Sequence, residues 1–130
     1  MHRSFVPLTA LGAVLLSAAA LAATPAPAPY TAAQAAQGAK LFAARCSTCH
    51  GAQLQGVSAP SLLSANVAGS PSASEVYAVL STQMPADAPG SLKPASYAAI
   101  MAFLLKANHH PASGTSPLTD AKAKALTLPY

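Results

Sequence analysis

Cys46-Ser47-Thr48-Cys49-His50 places two thiols three positions apart with an imidazole directly after the second. On a turn of helix, residues at i and i+3 share one face, about 5 to 6 Å apart between Cβ atoms. Both sulfurs can then reach the edge of one flat group while the histidine ring reaches its centre. This suits covalent attachment of a c-type haem, in which both thiols add to porphyrin vinyl groups and the histidine ligates the iron. A C-x-x-C pair also serves as a thioredoxin-type dithiol, half of a zinc site or a structural disulfide. Zinc needs further Cys or His at ligand spacing, and beyond the motif and the N-terminal segment only His109 and His110 remain, distant and side by side. A dithiol oxidoreductase calls for a βαβ pattern, and the chain has no run of alternating or β-branched residues.

Met84 is the second candidate iron ligand. Pro85 pushes it out of the helical region into an extended conformation, and Pro89 and Gly90 keep the following segment from resuming a helix. A methionine on so stiff a loop suits a fixed thioether ligand, the alternative being a core methionine that fills a gap. Met101 reads differently. Tyr97, Ile100, Met101 and Leu104 follow i, i+3, i+4, i+7, which puts Met101 on the apolar stripe of a helix. His109 and His110 read as solvated residues at that helix's end, where they interact favourably with its dipole. A ligating histidine also needs an acceptor for its other ring nitrogen, and the Ala59-Pro60-Ser61-Leu62 turn offers a carbonyl for His50.

Three helices would position these groups. Thr31-Ala32-Ala33-Gln34 has the form of a capping box and opens an alanine-rich helix to about Arg45, which delivers the cysteines at its end. Gly38 inside it costs roughly 1 kcal/mol relative to alanine. Close approach of another helix would account for it, with Phe42 one turn later and the Ile100 and Phe103 side of the last helix as partners, the alternative being a tolerated surface glycine. Gly51 to Pro71 is rich in loop formers and would line the His50 side of the haem. Ser72-Ala73-Ser74-Glu75 is a second capping box, opening a short helix that ends near Gln83. The last helix starts at Pro94, suited to the first helical position, after the poor cap Lys93, and terminates near Asn108.

At 130 residues the chain holds one small domain, a size at which a buried cofactor adds needed stability. Seven Lys and Arg against three Asp and Glu give +4. Arg3 lies in a segment expected to be removed, which leaves +3, and two haem propionates would bring the holoprotein to about +1. The composition, mostly Ala, Ser, Pro and Leu with few charges and no tryptophan, is not that of a nucleic-acid binder. Met1 to Ala23 has the form of a signal peptide: His2 and Arg3, an uncharged apolar run from Phe5, then Ala20-Leu21-Ala22 as a small-x-small site with cleavage near Ala22/Ala23. The run approaches the length of an uncleaved anchor, but its alanine content and Pro7 favour cleavage. Export would make the protein periplasmic, with a mature chain that does not span the membrane. Residues 24–29 read as an extended Ala/Pro linker, 30–111 as the domain and 112–130 as a Pro/Ser/Ala-rich tail with a short helix over Asp120 to Leu126.

With the haem motif, Gly38 and Phe42, Pro60, Met84-Pro85 and the last helix in this order, residues 30–111 resemble a class I cytochrome c, similar to small bacterial periplasmic cytochromes and dehydrogenase-associated cytochrome subunits. The resemblance implies an all-α cytochrome c fold of three to four short helices around one covalently bound haem c, with the first and last helices crossing at Gly38 and Phe42. It implies His50 and Met84 as axial ligands, Cys46 and Cys49 as thioether attachment points, and Pro60 as the residue whose carbonyl holds His50. The function implied is one-electron transfer between redox proteins: a dehydrogenase, an oxidase or a membrane quinol-oxidising complex. A haem enzyme or gas sensor is the alternative should Met84 leave the iron. Many relatives carry a tryptophan near the propionates and this chain has none; Tyr77, Asn66 and Ser81 are candidates for that role.

Overall fold

Alanine, the best helix former, dominates residues 32–45, and Thr31 supplies the oxygen that their first turn lacks. In the computed structural model, which describes residues 24–130, α1 spans Ala32–Arg45 and the Thr31 hydroxyl accepts the Gln34 N–H at 3.2 Å. The expected signal peptide lies outside the described residues. The capping box at Thr31 is only half formed, because the Gln34 side chain is engaged elsewhere. Its Nε2 donates to the Leu118 carbonyl and its Oε1 accepts the Leu118 N–H, both at 2.7 Å. A buried amide must find partners, and here they come from 84 residues downstream.

The short helix α2, Ser47–His50, follows a kink at Cys46, which ends α1 and starts α2. After a loop with one 3₁₀ turn at Ser64–Asn66, α3 spans Ala73–Gln83 and α4 spans Pro94–Ala107; α5, Asp120–Lys124, lies in the last segment. Among the described residues the fold is all-helical, with isolated bridges but no strand. The most extensive pairing joins α1 to α4. It turns on Gly38, which faces the Ala99 backbone and Phe103, while the Phe42 and Phe103 rings meet one turn later with centroids 5.2 Å apart. Buried Tyr97, Ile100, Met101, Leu104 and Leu105 make α4 the spine of the core. Burying each large side chain contributes about 1.5 to 3 kcal/mol.

The segment 112–130 was expected to be a tail, but it packs into that same core. Leu118, Ala123, Leu126 and Tyr130 are buried in one cluster with Tyr77 and Leu104. Its end also completes the start of α3. The Ala73 N–H donates to the Leu128 carbonyl at 2.8 Å and the Ser74 N–H to the Leu126 carbonyl at 3.0 Å, so two donors that a helix leaves orphaned are satisfied by this strap. The buried Tyr77 donates its hydroxyl to Asp120 on α5 at 2.8 Å. At the other end of the chain, the expected linker is anchored too. Ala28 is buried, donates to the Pro111 carbonyl and accepts from Ser113. His110, expected in solvent, is buried with Nδ1 2.8 Å from the Ala26 carbonyl, whereas His109 is exposed.

The capping box of α3 is complete. Ser72 accepts from the Glu75 N–H while the Glu75 carboxylate accepts from the Ser72 N–H and hydroxyl, each at 2.7 Å. The Ser72 side chain and backbone hold the Glu75 carboxyl below its usual range, and Lys124 with Tyr77 does the same for Asp120. Groups with depressed folded-state pKa contribute stability above the ordinary carboxylate range and lose it as pH falls through the folded value. Thermal stability is therefore expected to fall between about pH 5 and 3. In Glu75→Gln combined with Asp120→Asn that acid slope should be shallower, as thermal unfolding followed by circular dichroism will show; equal slopes would rule out these two carboxylates as its source.

Candidate haem site

Cys46, Cys49, His50, Pro60 and Met84 all line one cavity of about 1000 Å³. The arrangement starts from helix geometry. The His50 N–H bonds to the Cys46 carbonyl at 2.9 Å, so α2 presents Cys46, Cys49 and His50 within a single turn. The chain then folds sharply back. The N–H groups of Val57, Ser58 and Ala59 converge on the Cys49 carbonyl, and Gly56 donates to the His50 carbonyl at 2.8 Å. Only glycine suits that position: its φ is +81°, and a Cβ would lie 2.8 Å from both the Ala59 oxygen and the Ser61 nitrogen. The return brings the Pro60 carbonyl to 2.9 Å from His50 Nδ1. A carbonyl only accepts, so Nδ1 is the donor of this bond, the arrangement in which Nε2 is the nitrogen available to a metal.

Met84 comes from the other half of the chain. It closes α3 in an extended conformation, φ −115° and ψ 153°, ahead of the buried Pro85. Its carbonyl accepts the Tyr97 hydroxyl at 2.7 Å, and the same hydroxyl accepts the Leu92 N–H at 3.2 Å. Tyr97 thus ties both ends of the 84–92 loop to α4. In the sequence Tyr97 reads only as part of an apolar stripe. The signal it carried was that a buried phenol must find a partner.

Asn108 is a second residue whose role exceeds its sequence reading as a helix terminator. Its Nδ2 donates to the Leu62 carbonyl at 3.1 Å and to the Leu104 carbonyl at 3.0 Å, while its Oδ1 accepts the Ser64 N–H at 2.7 Å. The loop after Pro60 is thereby fastened to the end of α4. Tyr77, Asn66 and Ser81 do not line the cavity. Tyr77 is committed to Asp120, Asn66 reaches Ser61, and Ser81 bonds back to its own helix. Arg45, Glu75 and Asp87 are the charged residues in its wall.

The donor set fits a haem. The cavity is at the upper end of cofactor-site volumes, roughly 300 to 1,000 Å³, and its depth is apolar, with Phe42, Leu80, Ile100 and Leu104 in the wall. A dithiol centre fits less well. Burial, and secondarily the neighbouring Cys49, push the Cys46 thiol pKa up, opposite to the depression that makes an exchange-active thiolate. Among the described residues no group of three or more His, Cys, Asp or Glu is placed to hold zinc, and none of their helices is long and apolar enough to cross a membrane.

Residues 33–104 match the family model described as cytochrome C oxidase, cbb3-type, subunit III. A chain of the sulfane dehydrogenase SoxCD from Paracoccus pantotrophus is similar in structure, with a TM-score of 0.58 at 28% sequence identity. The match covers 81% of this chain and 61% of that one, so the present chain spans less than two thirds of the length of its structural relative. Comparison with curated proteins finds no match.

Proposed function

Because the chain belongs to the cytochrome c oxidase cbb3-type subunit III family, with the helical architecture of a small all-α cytochrome c, we propose that it is a one-electron carrier holding one covalently attached haem c. The observation that carries this reading is the convergence of Cys46, Cys49, His50 and Met84 on one apolar cavity. Cys46 and Cys49 would hold the group through two thioether bonds, each made by addition of a thiol S–H across a vinyl double bond, which needs no oxidant. When bound, the haem supplies an iron that exchanges one electron between ferric and ferrous states. His50 and Met84 would hold the iron. The Pro60 carbonyl holds the His50 proton on Nδ1, and Tyr97 fixes the backbone of Met84. Two protein ligands on the iron would leave no position for a substrate and the apolar side chains would exclude water, which favours electron passage over catalysis. The methionine and histidine pair raises the reduction potential.

The partners are redox proteins in the periplasm. The SoxCD relative makes a dehydrogenase the leading donor class, with an oxidase or a quinol-oxidising complex as other exchange partners. Contact would be small and transient, of the low-area class. Delivery there rests on cleavage of residues 1–23 near Ala22/Ala23. The test is expression with a c-type maturation system. We expect one haem per chain that survives denaturing electrophoresis, with a c-type ferrous spectrum, and its loss on denaturation in Cys46→Ala combined with Cys49→Ala. Haem that leaves the unaltered protein on denaturation would sink the covalent assignment, and carbon monoxide bound as readily as by an open-site haem protein would sink the carrier.

A further inference from the structure

The strap that ends the chain reaches the cavity. Tyr130 lines the same cavity as His50 and Pro60 and is only 7% exposed. Its hydroxyl donates to the Leu62 carbonyl at 2.8 Å, and its backbone N–H donates to the Pro71 carbonyl at 2.9 Å. One residue thus grips both ends of the 62–71 loop. The Leu62 carbonyl is also the one that Asn108 grips, so side chains from two distant elements converge on a single oxygen. Leu62 lies two residues after Pro60, and its own N–H is bonded to the Leu54 carbonyl at 2.8 Å. The Pro60 carbonyl is therefore carried on a span fixed from α4, from the strap and from the turn after His50. No local pattern links this strap to the site, because Tyr130 is 80 residues from His50.

We propose that Tyr130 is a positioning residue for the haem site: it closes the cavity wall with its ring and, through the Leu62 carbonyl, keeps the Pro60 carbonyl aligned on His50 Nδ1. The inference rests on the reading of His50 as an iron ligand. A phenol suits both tasks. The ring supplies apolar wall, and the hydroxyl takes up a carbonyl that would otherwise have one fewer donor. Burial pushes the phenol pKa up, so the hydroxyl keeps its proton and remains a donor throughout the working pH range.

The test follows the His50 Nδ1 proton itself by NMR in the ferrous holoprotein, measuring its exchange with solvent. In Tyr130→Phe, which retains the ring, exchange is expected to speed up about fivefold, the equivalent of one hydrogen bond. In Tyr130→Ala it should speed up further, and the ferric protein should bind added imidazole more tightly. Gln34→Ala serves as the control: it frees the strap at Leu118, far along the chain from Tyr130, and is expected to lower the unfolding temperature without speeding the His50 proton. Unchanged exchange in Tyr130→Phe overturns the positioning role, as does an equal acceleration in Gln34→Ala, which would indicate general loosening. Should Tyr130→Ala fail to assemble, Tyr130→Phe still decides. An unaltered holoprotein with no protected Nδ1 proton would overturn the Pro60 hydrogen bond to His50, and the role of Tyr130 with it, whereas a haem spectrum unchanged in His50→Ala would overturn the ligand assignment itself.

Discussion

Gly38→Ala is expected to cost the protein a large share of its stability. A Cβ at this position would lie 1.8 Å from the Ala99 oxygen, 2.5 Å from the Ala99 carbonyl carbon and 3.0 Å from Phe103 Cβ. The first two are backbone atoms in the middle of α4, so no side chain can swing away to make room. The helices must separate, which also disrupts the Phe42 and Phe103 contact and loosens the cavity wall that Phe42 supplies. Alanine would gain about 1 kcal/mol in helix propensity. Overpacking costs about 1 to 3 kcal/mol where side chains can give way and more where they cannot. A net loss of about 3 kcal/mol or more is expected against a typical total of about 5 to 15 kcal/mol. Denaturant unfolding of the holoprotein measures it, with haem incorporation as a second readout. A variant as stable as the parent would mean that α1 and α4 do not meet at Gly38.

The same glycine shows what was legible in the sequence. A residue that is costly inside a helix calls for a reason, and close helix approach was the natural one. Likewise Thr31, Ser72, Pro85 and Pro94 announced helix boundaries through local chemistry alone, because caps and proline act over a few residues. The gathering of Cys46, Cys49 and His50 followed from helical spacing within one turn. What stayed hidden was every contact made across the chain by an ordinary residue. Gln34 looked like the partner in a capping box, yet its amide serves Leu118. Asn108 looked like a helix stop, yet it holds Leu62 and Ser64. Tyr97 looked like one more stripe residue, yet it anchors Met84. The segment after Pro111 looked like a tail because its apolar residues are few and set among Pro, Ser and Thr. Its docking depends on pairing Leu126, Leu128 and Tyr130 with the start of α3, and no local period encodes that.

Met84→Ala should separate ligand from fold. The backbone of Met84 is held by the Tyr97 hydroxyl, and that bond does not need the side chain. The loop should therefore persist, with a stability loss near the low end for methionine truncation, about 2 kcal/mol, since Met84 is only half-buried. The spectroscopic effect is expected to be far larger. The ferric methionine-sulfur band should vanish, imidazole and carbon monoxide should bind at the freed position, and the reduction potential should fall on the order of 0.2 V, within the roughly 0.8 V span that axial ligation commands. Met101→Ala is the matched comparison. Met101 is completely buried on α4 and does not line the cavity. Its truncation should cost more stability, about 2 to 5 kcal/mol, while leaving the band and the potential in place. The two methionines are thus expected to dissociate in opposite directions, one in spectrum and one in stability. Persistence of the sulfur band in Met84→Ala, or its loss in Met101→Ala, would reverse the assignment and reopen the sixth position to a haem enzyme or gas sensor.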